Sequence, residues 1–236
     1  FPPETDVEAL RAALLAADPT ADVAIAPAEP VDWTEGWKAL IGAHELNGLA
    51  VVPPWLADGR DPATTIVIDP GMAFGTGDHP TTRGVLRLLP NAIRSGDLVA
   101  DLGAGSAVLA IAAAKLGAGR VAAIEYDGEA IGNAEENVAR NGVADRVTVL
   151  HGDANVLLPL VAPVRVILAN IISSVLLQLL PAMDAALAPD GDAFLAGILH
   201  EERDVMLAAL AAYGWRAVAE DREEAWWSVH CRRAAA

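Results

Sequence analysis

The sequence predicts an α/β fold: a seven-stranded, mostly parallel, doubly wound sheet with an antiparallel last strand, plus a small truncated α/β appendage at the amino end. Short apolar runs typical of buried strands alternate with helical periodicity from residue 99 onward. The stretch Val99–Asp127 holds a complete strand–helix–strand unit, whose two strands must be parallel. Only Glu220–Ala225 joins the last two predicted strands, which is too short for a parallel crossover, so the seventh strand must reverse direction.

The strand–helix–strand unit carries the first candidate binding residues. It turns through Gly-Ala-Gly-Ser-Ala at residues 103–107, continues in the alanine-rich helix Val108–Leu116, and ends its second strand in Glu125. Units of this kind bind ligands at the carboxyl edge of the sheet, where glycines admit a close backbone and an acid accepts hydrogen bonds from ribose hydroxyls. Gly103, Gly105 and Glu125 are therefore candidate contacts for a nucleoside-type cofactor.

The spacing of the glycines indicates which cofactor this is. A dinucleotide fingerprint, G-x-G-x-x-G, requires glycine at position 108, where this chain has Val108. The pattern present is D-x-G-x-G-x-A beginning at Asp101, with Glu125 at the tip of the next strand. It resembles motif I of the Rossmann-like class I S-adenosylmethionine methyltransferases, in which an amino-acid tail lies over the turn. We therefore expect S-adenosylmethionine, and not NAD, to bind.

Other elements are predicted from periodicity and from capping or turn residues. The predicted strands lie at Val23–Ile25, Gly48–Pro53, Ile66–Asp69, Val99–Leu102, Val121–Glu125, Val147–Leu150, Val164–Ala169, Ala193–Ile198, Trp215–Ala219 and Trp226–Cys231. The predicted helices lie at Asp6–Ala17, Asp32–Lys38 with its two tryptophans Trp33 and Trp37, Pro80–Leu89, Val108–Leu116, Glu129–Arg140, Leu176–Leu187 and Glu201–Tyr213.

The segment at 69–82 is too rich in glycine and proline for a helix or a central strand, yet it contains two large apolar residues. A loop with buried apolar side chains and free backbone amides is suited to close over a ligand, so Phe74 and Thr76 are candidate cofactor contacts. Thr82 lies in the first turn of the following helix, where backbone donors suit the carboxylate of a methionyl tail. His79 is interpreted as a structural hydrogen-bonding residue. Because no cluster of Cys, His and acids accompanies it, no metal site is predicted.

Two polar residues follow later strands at the same edge of the predicted sheet. Asp153 lies in the turn after one strand, where a carboxylate can accept the adenine amino group, although an ordinary exposed turn acid fits equally. Asn170 ends the next strand, and its side-chain carbonyl can accept an N–H from an incoming amine without carrying a charge. Turn formation is the alternative role for an asparagine there. Asn170 is the candidate catalytic residue.

Composition limits the class of partner. The formal net charge of −16 argues against a sequence-independent grip on nucleic acid, and suits a basic protein or a cationic cofactor, or serves solubility alone. Cys231 is the single cysteine, which excludes an internal disulfide and fits a reducing cytoplasm. No apolar run reaches the roughly 18 residues of a membrane span. The start at Phe1 lacks methionine and a basic region, so we expect no signal peptide and a chain that begins inside a longer protein.

The sequence Asp-Pro-Gly-Met-Ala-Phe-Gly-Thr-Gly-Asp-His-Pro-Thr-Thr at 69–82, with Ala-Asn-Ile at 169–171, resembles the bacterial methyltransferases of ribosomal protein L11. The resemblance runs from about residue 31 to 232 and includes the linker Asp32–Lys38. It implies methylation of lysine ε-amines and of an N-terminal α-amine, with an N-terminal domain that presents the substrate. By position it places cofactor contacts on Thr82, Gly103, Glu125 and Asn170.

Three positions depart from the family's usual pattern: Asp78 replaces Thr, Ala107 replaces Gly, and Glu125 replaces Asp. We expect a partial substrate-recognition appendage at 1–30, a linker helix and lead-in strand at 31–60, and the methyltransferase domain at 61–233. The chain is expected to act as a monomer on a ribosomal protein, without direct contact with nucleic acid or membrane. Two alternatives stay open, a small-molecule methyltransferase on the same scaffold and a non-catalytic S-adenosylmethionine-binding protein.

Overall fold

A computed structural model of the chain describes residues 5–24, 41–69, 75 and 77–234. The chain divides into two compact units, residues 1–40 and residues 41–236. In the first unit, helix α1 (Val7–Ala17) begins at Asp6, whose side chain accepts the backbone N–H of Ala9 at 2.9 Å. The predicted helix and its cap are confirmed.

The strand predicted at Val23–Ile25 is not found in its described part. Residues 21–24 form neither a helix nor a strand, and a short extended segment is not stable without a paired strand. Ile25 lies outside the described residues, as does the predicted helix Asp32–Lys38 with Trp33 and Trp37.

The described part of the second unit alternates strands and helices along most of its length. Its strands are β1 (His44–Leu46), β2 (Leu49–Val52), β3 (Thr65–Val67), β4 (Leu98–Leu102), β5 (Arg120–Glu125), β6 (Val147–His151), β7 (Val164–Asn170), β8 (Leu187–Leu199), β9 (Trp215–Glu223) and β10 (Trp226–Arg233). Its helices are α2 (Pro80–Leu88), α3 (Val108–Lys115), α4 (Gly128–Arg140), α5 (Ala154–Val161), α6 (Ser173–Ala186) and α7 (Arg203–Ala212).

The main sheet has seven strands in the order β6-β5-β4-β7-β8-β10-β9. The five strands from β6 to β8 are parallel, and β10 is antiparallel to both of its neighbours. Only Glu224, with φ of +54°, and Ala225 separate β9 from β10, so the chain can only fold back as a hairpin. The predicted seven-stranded sheet with its reversed last strand is confirmed.

A separate three-stranded sheet precedes the main one. β1 and β2 form a hairpin around Asn47 and Gly48, whose φ values of +51° and +89° suit a two-residue turn, and β2 pairs with β3 in parallel. The sequence predicts β2 and β3 but misses β1. The Asn-Gly pair was the available indication, and β1 is only three residues long with a half-polar sequence.

The sequence also misses helix α5, which begins at the cap Asp153 and contains Pro159. A proline inside a helix removes one backbone donor and argues against a helix from pattern alone. Helix α6 begins at Ser173, three residues before the predicted start at Leu176, and it too contains a proline. β8 begins at Leu187 because that residue pairs with Val164 of β7.

Both faces of the main sheet are buried along its inner strands. In β7, Val166 and Leu168 pack in a core with α2, α3 and α4, while Ile167 and Ala169 pack in a second core with α5, α6 and α7. This alternation follows the period of two in a strand, and burial on both faces is the usual state of a parallel sheet. Among the described residues no helix combines the length and apolar character needed to cross a membrane.

Two helical glycines have opposite surroundings and give a paired test of the packing. A Cβ on Gly132 in α4 meets nothing within 4 Å, whereas a Cβ on Gly84 in α2 would lie 3.0 Å from Cβ of Ser228 and 3.2 Å from Oδ1 of Asp221. Gly132→Ala should raise the free energy of unfolding by about 0.5–1 kcal/mol through helix propensity. Gly84→Ala should lower it by about 1–3 kcal/mol through overpacking. Urea denaturation measures both, and equal stabilisation would contradict the close packing of α2 on β10.

Candidate functional site

Two adjoining cavities lie at the carboxyl ends of the parallel strands. One has a volume of about 450 Å³ and the other of about 460 Å³. Both are lined by Gly103, Glu125, Ile171 and Val175, which form their common wall. Ligands of doubly wound folds bind at this edge, where the strand order reverses on either side of β4. The two cavities together form the candidate site.

Glu125 is fixed at this common wall by two backbone donors. The N–H of Gly105 donates to its Oε2 at 2.7 Å, and the N–H of Asp127 donates to its Oε1 at 2.8 Å. The side chain is almost fully buried. A carboxylate has about four acceptor positions. Each oxygen of Glu125 therefore keeps the capacity to accept a further hydrogen bond.

The glycine turn and the end of β7 approach each other very closely. A Cβ on Gly103, whose φ is +68°, would lie 2.5 Å from Cγ2 of Ile171. On its other side, Ile171 meets Gly197 of β8, where a Cβ would lie 2.7 Å from the Ile171 carbonyl carbon. Only glycine fits at both positions, so these two residues allow the chain after β7 to reach the turn.

Asn170 and Thr82, 88 residues apart in the sequence, are hydrogen-bonded in the structure. Nδ2 of Asn170 donates to Oγ1 of Thr82 at 3.1 Å. Thr82 is completely buried, and it is the neighbouring Thr81 that lines the larger cavity beside Asn170. Oδ1 of Asn170 is buried and accepts no hydrogen bond from the described residues. Asn170 therefore brings to the larger cavity a side-chain carbonyl oxygen that is buried and has no donor among the described residues.

The remaining predicted contacts fall in different places. Asp153 is exposed, lines the smaller cavity, and caps α5 by accepting the N–H of Asn155 at 2.8 Å. Gly105 lines the larger cavity and holds Glu125. Phe74 and Thr76 lie outside the described residues.

Sequence reasoning assigned no place in the site to His79 or Trp226, and both line the larger cavity. Nδ1 of His79 accepts the backbone N–H of Thr81, so this residue is the N-cap of α2. Its ring lies edge-on against the Trp226 ring, with centroids 4.9 Å apart. Burial lowers the pKa of His79, and the charge of Arg83 lowers it further. The reversed β10 strand brings Trp226 to the site, which no local sequence pattern indicates.

Two of the residues that depart from the family pattern, Ala107 and Asp78, have contacts or a conformation that the structure shows. Ala107 is buried with φ of +64°, a left-handed conformation that costs a residue other than glycine about 1–2 kcal/mol. Oδ1 of Asp78 lies 2.6 Å from Nε2 of His44 in β1, so this acid links the start of α2 to the small sheet.

Asp101 is buried beneath the glycine turn at 1% exposure. Its Oδ2 accepts the N–H of Ala110 in α3 at 2.9 Å. Burial raises the pKa of Asp101 to about 7, an effect that the Ala110 hydrogen bond opposes and the nearby charge of Glu125 reinforces. The carboxyl group therefore ties the turn to α3 and titrates close to neutral pH.

The model of the family described as "Ribosomal protein L11 methyltransferase (PrmA)" matches residues 1–234. The chain belongs to this family. Membership confirms the resemblance drawn from the segments at 69–82 and 169–171.

Individual relatives agree with this assignment. The chain is 40% identical over 203 residues to the ribosomal protein L11 methyltransferase of Pelotomaculum thermopropionicum, covering 85% of this chain and 65% of that protein. It is 38% identical over 226 residues to the enzyme of that name from Dechloromonas aromatica, covering 94% and 74%. A crystal structure of ribosomal protein L11 methylase from Lactobacillus delbrueckii subsp. bulgaricus superposes with a TM-score of 0.73 at 33% identity, covering 82% of this chain and 99% of that one. The chain thus spans about two thirds to three quarters of the length of these two curated relatives.

The buried Asp101 predicts a specific pH dependence of stability. Its folded-state pKa of about 7 lies above the unfolded value of about 3.9, so folding takes up a proton between these pH values. Its contribution to stability is full below about pH 4 and is lost as the pH rises towards about 7. Asp101→Asn removes this titration. The melting temperature of the variant should therefore rise relative to that of wild type from about pH 4 to about pH 7, and the difference should level off above that pH.

Differential scanning calorimetry at several pH values measures this difference. Asp58→Asn is the matched control, because Asp58 is an exposed acid of the same unit and its replacement should give no such trend. A constant offset between Asp101→Asn and wild type at all pH values would show that Asp101 does not titrate in this range.

Proposed function

We propose that this chain transfers methyl groups from S-adenosylmethionine to amines of ribosomal protein L11, namely lysine ε-amines and the N-terminal α-amine. The observation that carries the proposal is Asn170, which lines the larger cavity together with Thr81 and Glu125 and whose buried Oδ1 accepts no hydrogen bond from the described residues. The family to which the chain belongs supports the substrate. In this proposal residues 1–30 help to present the substrate, 31–60 link them to the methyltransferase domain at 61–233, and the reaction takes place in the cytoplasm, where ribosomal proteins are made.

The residues of the site fit this cofactor. Glu125 is held by two backbone amides and keeps one accepting position on each oxygen, which matches two ribose hydroxyls. The smaller cavity contains Asp153 and Tyr126, an acid and an aromatic ring suited to an adenine. The larger cavity contains Thr81 in the first turn of α2, where the helix N-terminus favours a carboxylate. Glu125, at the common wall, would therefore hold the ribose between the two ends of the cofactor.

When bound, S-adenosylmethionine supplies a methyl group that is attached to a positively charged sulfur and is open to in-line attack. The chain's own task is to present a neutral amine on the correct side. A free lysine has a pKa near about 10.4, so it arrives as an ammonium ion. The apolar walls of the larger cavity, including Ile171, Ile172 and Trp226, disfavour the charged form by desolvation. Oδ1 of Asn170 accepts one amine N–H and so fixes the direction of the nitrogen lone pair.

The formal charge of the chain supports a basic protein as substrate. A net charge of −16 attracts cationic partners over distances set by the ionic strength. Ribosomal proteins that contact RNA are basic, and their lysines meet this field before they reach the cavity. Because the amide of Asn170 is uncharged, it does not form a stable ion pair with the lysine ammonium group.

Glu125 should control cofactor affinity. Glu125→Ala removes the charged acceptor of two ribose hydroxyls, and hydrogen bonds to charged groups contribute roughly 1.5–3 kcal/mol. Affinity for S-adenosylhomocysteine should fall by about tenfold or more. Isothermal titration calorimetry measures it, with Glu129→Ala as a control that removes a nearby exposed acid from α4. Equal affinity in the two variants would mean that Glu125 does not bind the ribose.

Asn170 should control the chemical step. Asn170→Ala removes the amine acceptor and should lower kcat well beyond any change in cofactor affinity. Asn170→Asp places a carboxylate in the same position, where it stabilises the ammonium form that cannot attack. The Asp variant should be no better than the Ala variant at neutral pH and should recover partly as the pH rises.

The assay uses the purified chain, saturating S-adenosylmethionine with a labelled methyl group, and ribosomal protein L11 from the same organism. Mass spectrometry of the product identifies the modified amines. The proposed function is rejected if wild-type protein transfers no methyl group to L11 under these conditions. The role of Asn170 is rejected if both variants keep the wild-type kcat and lose only cofactor affinity.

A further inference from the structure

A group of ion pairs joins helix α2 to the hairpin formed by β9 and β10. Nε of Arg83 donates to Glu223 at 3.1 Å, and its NH2 lies 2.5 Å from Oε1 of the same residue. One turn further along α2, Arg87 pairs with Asp221 through Nε at 2.8 Å and also meets Glu223 at 2.7 Å. These two arginines thus fix one face of α2 to β9.

Arg83 holds the site end of the helix in particular. Its NH1 donates to the backbone carbonyl of Asp78, and its own backbone N–H donates to the carbonyl of His79 at 3.2 Å. The charge of Arg83 also acts on the ring of His79, whose pKa it lowers. The side chain of Arg83 is 14% exposed. This arginine therefore connects the residues that begin α2 with the hairpin on the other side of the site.

Glu223 neighbours Trp226, as Arg83 neighbours His79. The two residues are directly opposite each other at the start of the hairpin, so their side chains lie on the same face of the sheet. Trp226 extends from that position to the larger cavity, where its ring meets His79. The ion pair between Arg83 and Glu223 therefore spans the same gap, between α2 and the hairpin, as the ring contact between His79 and Trp226.

We propose that Arg83 and Glu223 are positioning residues for the amine substrate: by joining the start of α2 to the hairpin, they set the separation of His79 and Trp226 and with it the width of that end of the larger cavity. The inference rests on the proposed methyl transfer and adds a determinant of which amines fit. Neither residue lines the cavity, so both act through the rings that do.

The electrostatics of the pair support a permanent link. The hydrogen bonds from Arg83 lower the pKa of Glu223 to about 2, and those from Arg87 add to the effect. Glu223 therefore stays charged at any pH at which an amine is methylated. A bidentate contact between arginine and a carboxylate also fixes orientation, which a single-point contact does not.

The width of the cavity is tested by comparing a small and a large acceptor. The substrates are unmodified L11 and L11 whose amines have been reductively monoisopropylated, so that only bulkier secondary amines remain and each keeps one N–H for Asn170. Arg83→Gln and Glu223→Gln should each lower kcat/KM for the unmodified substrate. They should also shift the ratio of the two rates towards the isopropylated substrate by about threefold or more, as expected when a shaped apolar wall is loosened. Arg83→Lys, which keeps the charge but not the bidentate geometry, should fall between Gln and wild type.

Asp221→Asn is the matched control, because it breaks the pair that fixes the same helix to the same strand one turn away from the site. It should lower the melting temperature by a similar amount and leave the ratio of the two rates unchanged. The affinity of each variant for S-adenosylhomocysteine, measured by calorimetry, should equal that of wild type. Glu223→Gln removes the pair from the other side, so the test survives if Arg83→Gln does not fold.

The outcomes separate the two proposals. If wild-type protein methylates neither substrate, the proposed function is wrong. If wild-type protein is active and the variants at Arg83 and Glu223 lower both rates in proportion, as Asp221→Asn does, the pair is only structural and the positioning role is overturned.

Discussion

Two backbone N–H groups, from Gly105 and Asp127, hold the carboxylate of Glu125 at the edge of the main sheet, and the arrangement of the site depends on them. They can do so because β4 and β5 are parallel neighbours, which brings the turn after one strand beside the end of the other. Parallel pairing in turn requires the crossover helix α3 and the burial of both sheet faces. The two hydrogen bonds to Glu125 therefore depend on the packing of the whole domain.

The wall of the larger cavity depends on a different set of constraints. Gly103 and Gly197 allow Ile171 to pass between them, so the chain leaving β7 closes the wall that the two cavities share. Thr82 accepts a hydrogen bond from the Asn170 amide nitrogen, and the buried carbonyl oxygen of the same amide accepts none from the described residues. An unsatisfied buried acceptor is costly to a fold. In the proposed function this oxygen accepts an N–H of the amine substrate.

The departures from the family pattern show how the same geometry tolerates different residues. Glu125 is one methylene longer than the usual aspartate and is steadied by backbone amides at both oxygens. Ala107 adopts a conformation that glycine takes more easily, and its full burial in the core offsets part of that cost. Asp78 contacts His44, so an acid at this position gains a partner from the small sheet. The proposed chemistry needs none of these three positions to match the family's usual residue.

Short-range information was enough to predict the fold, the reversed last strand and the edge of the sheet that carries the candidate cofactor contacts. Strand alternation, the Gly-x-Gly turn, the acid after the next strand and the short connection before β10 are all local features of the chain. The missed elements, β1 and α5, are those whose local pattern is weak, one by its length and the other by Pro159.

The sequence by itself determined which residues stand at the carboxyl ends of the strands, because chain order and a parallel sheet place them there. Only the tertiary structure decided their partners. Asn170 and Thr82 are 88 residues apart, and Arg83 and Glu223 are 140 apart. Contacts at such separations depend on how helices and hairpins pack across the sheet, and the positions of Trp226 and His79 follow from that packing. Local sequence patterns do not predict this packing, because side-chain pairing across a core is fixed by shape and charge in three dimensions.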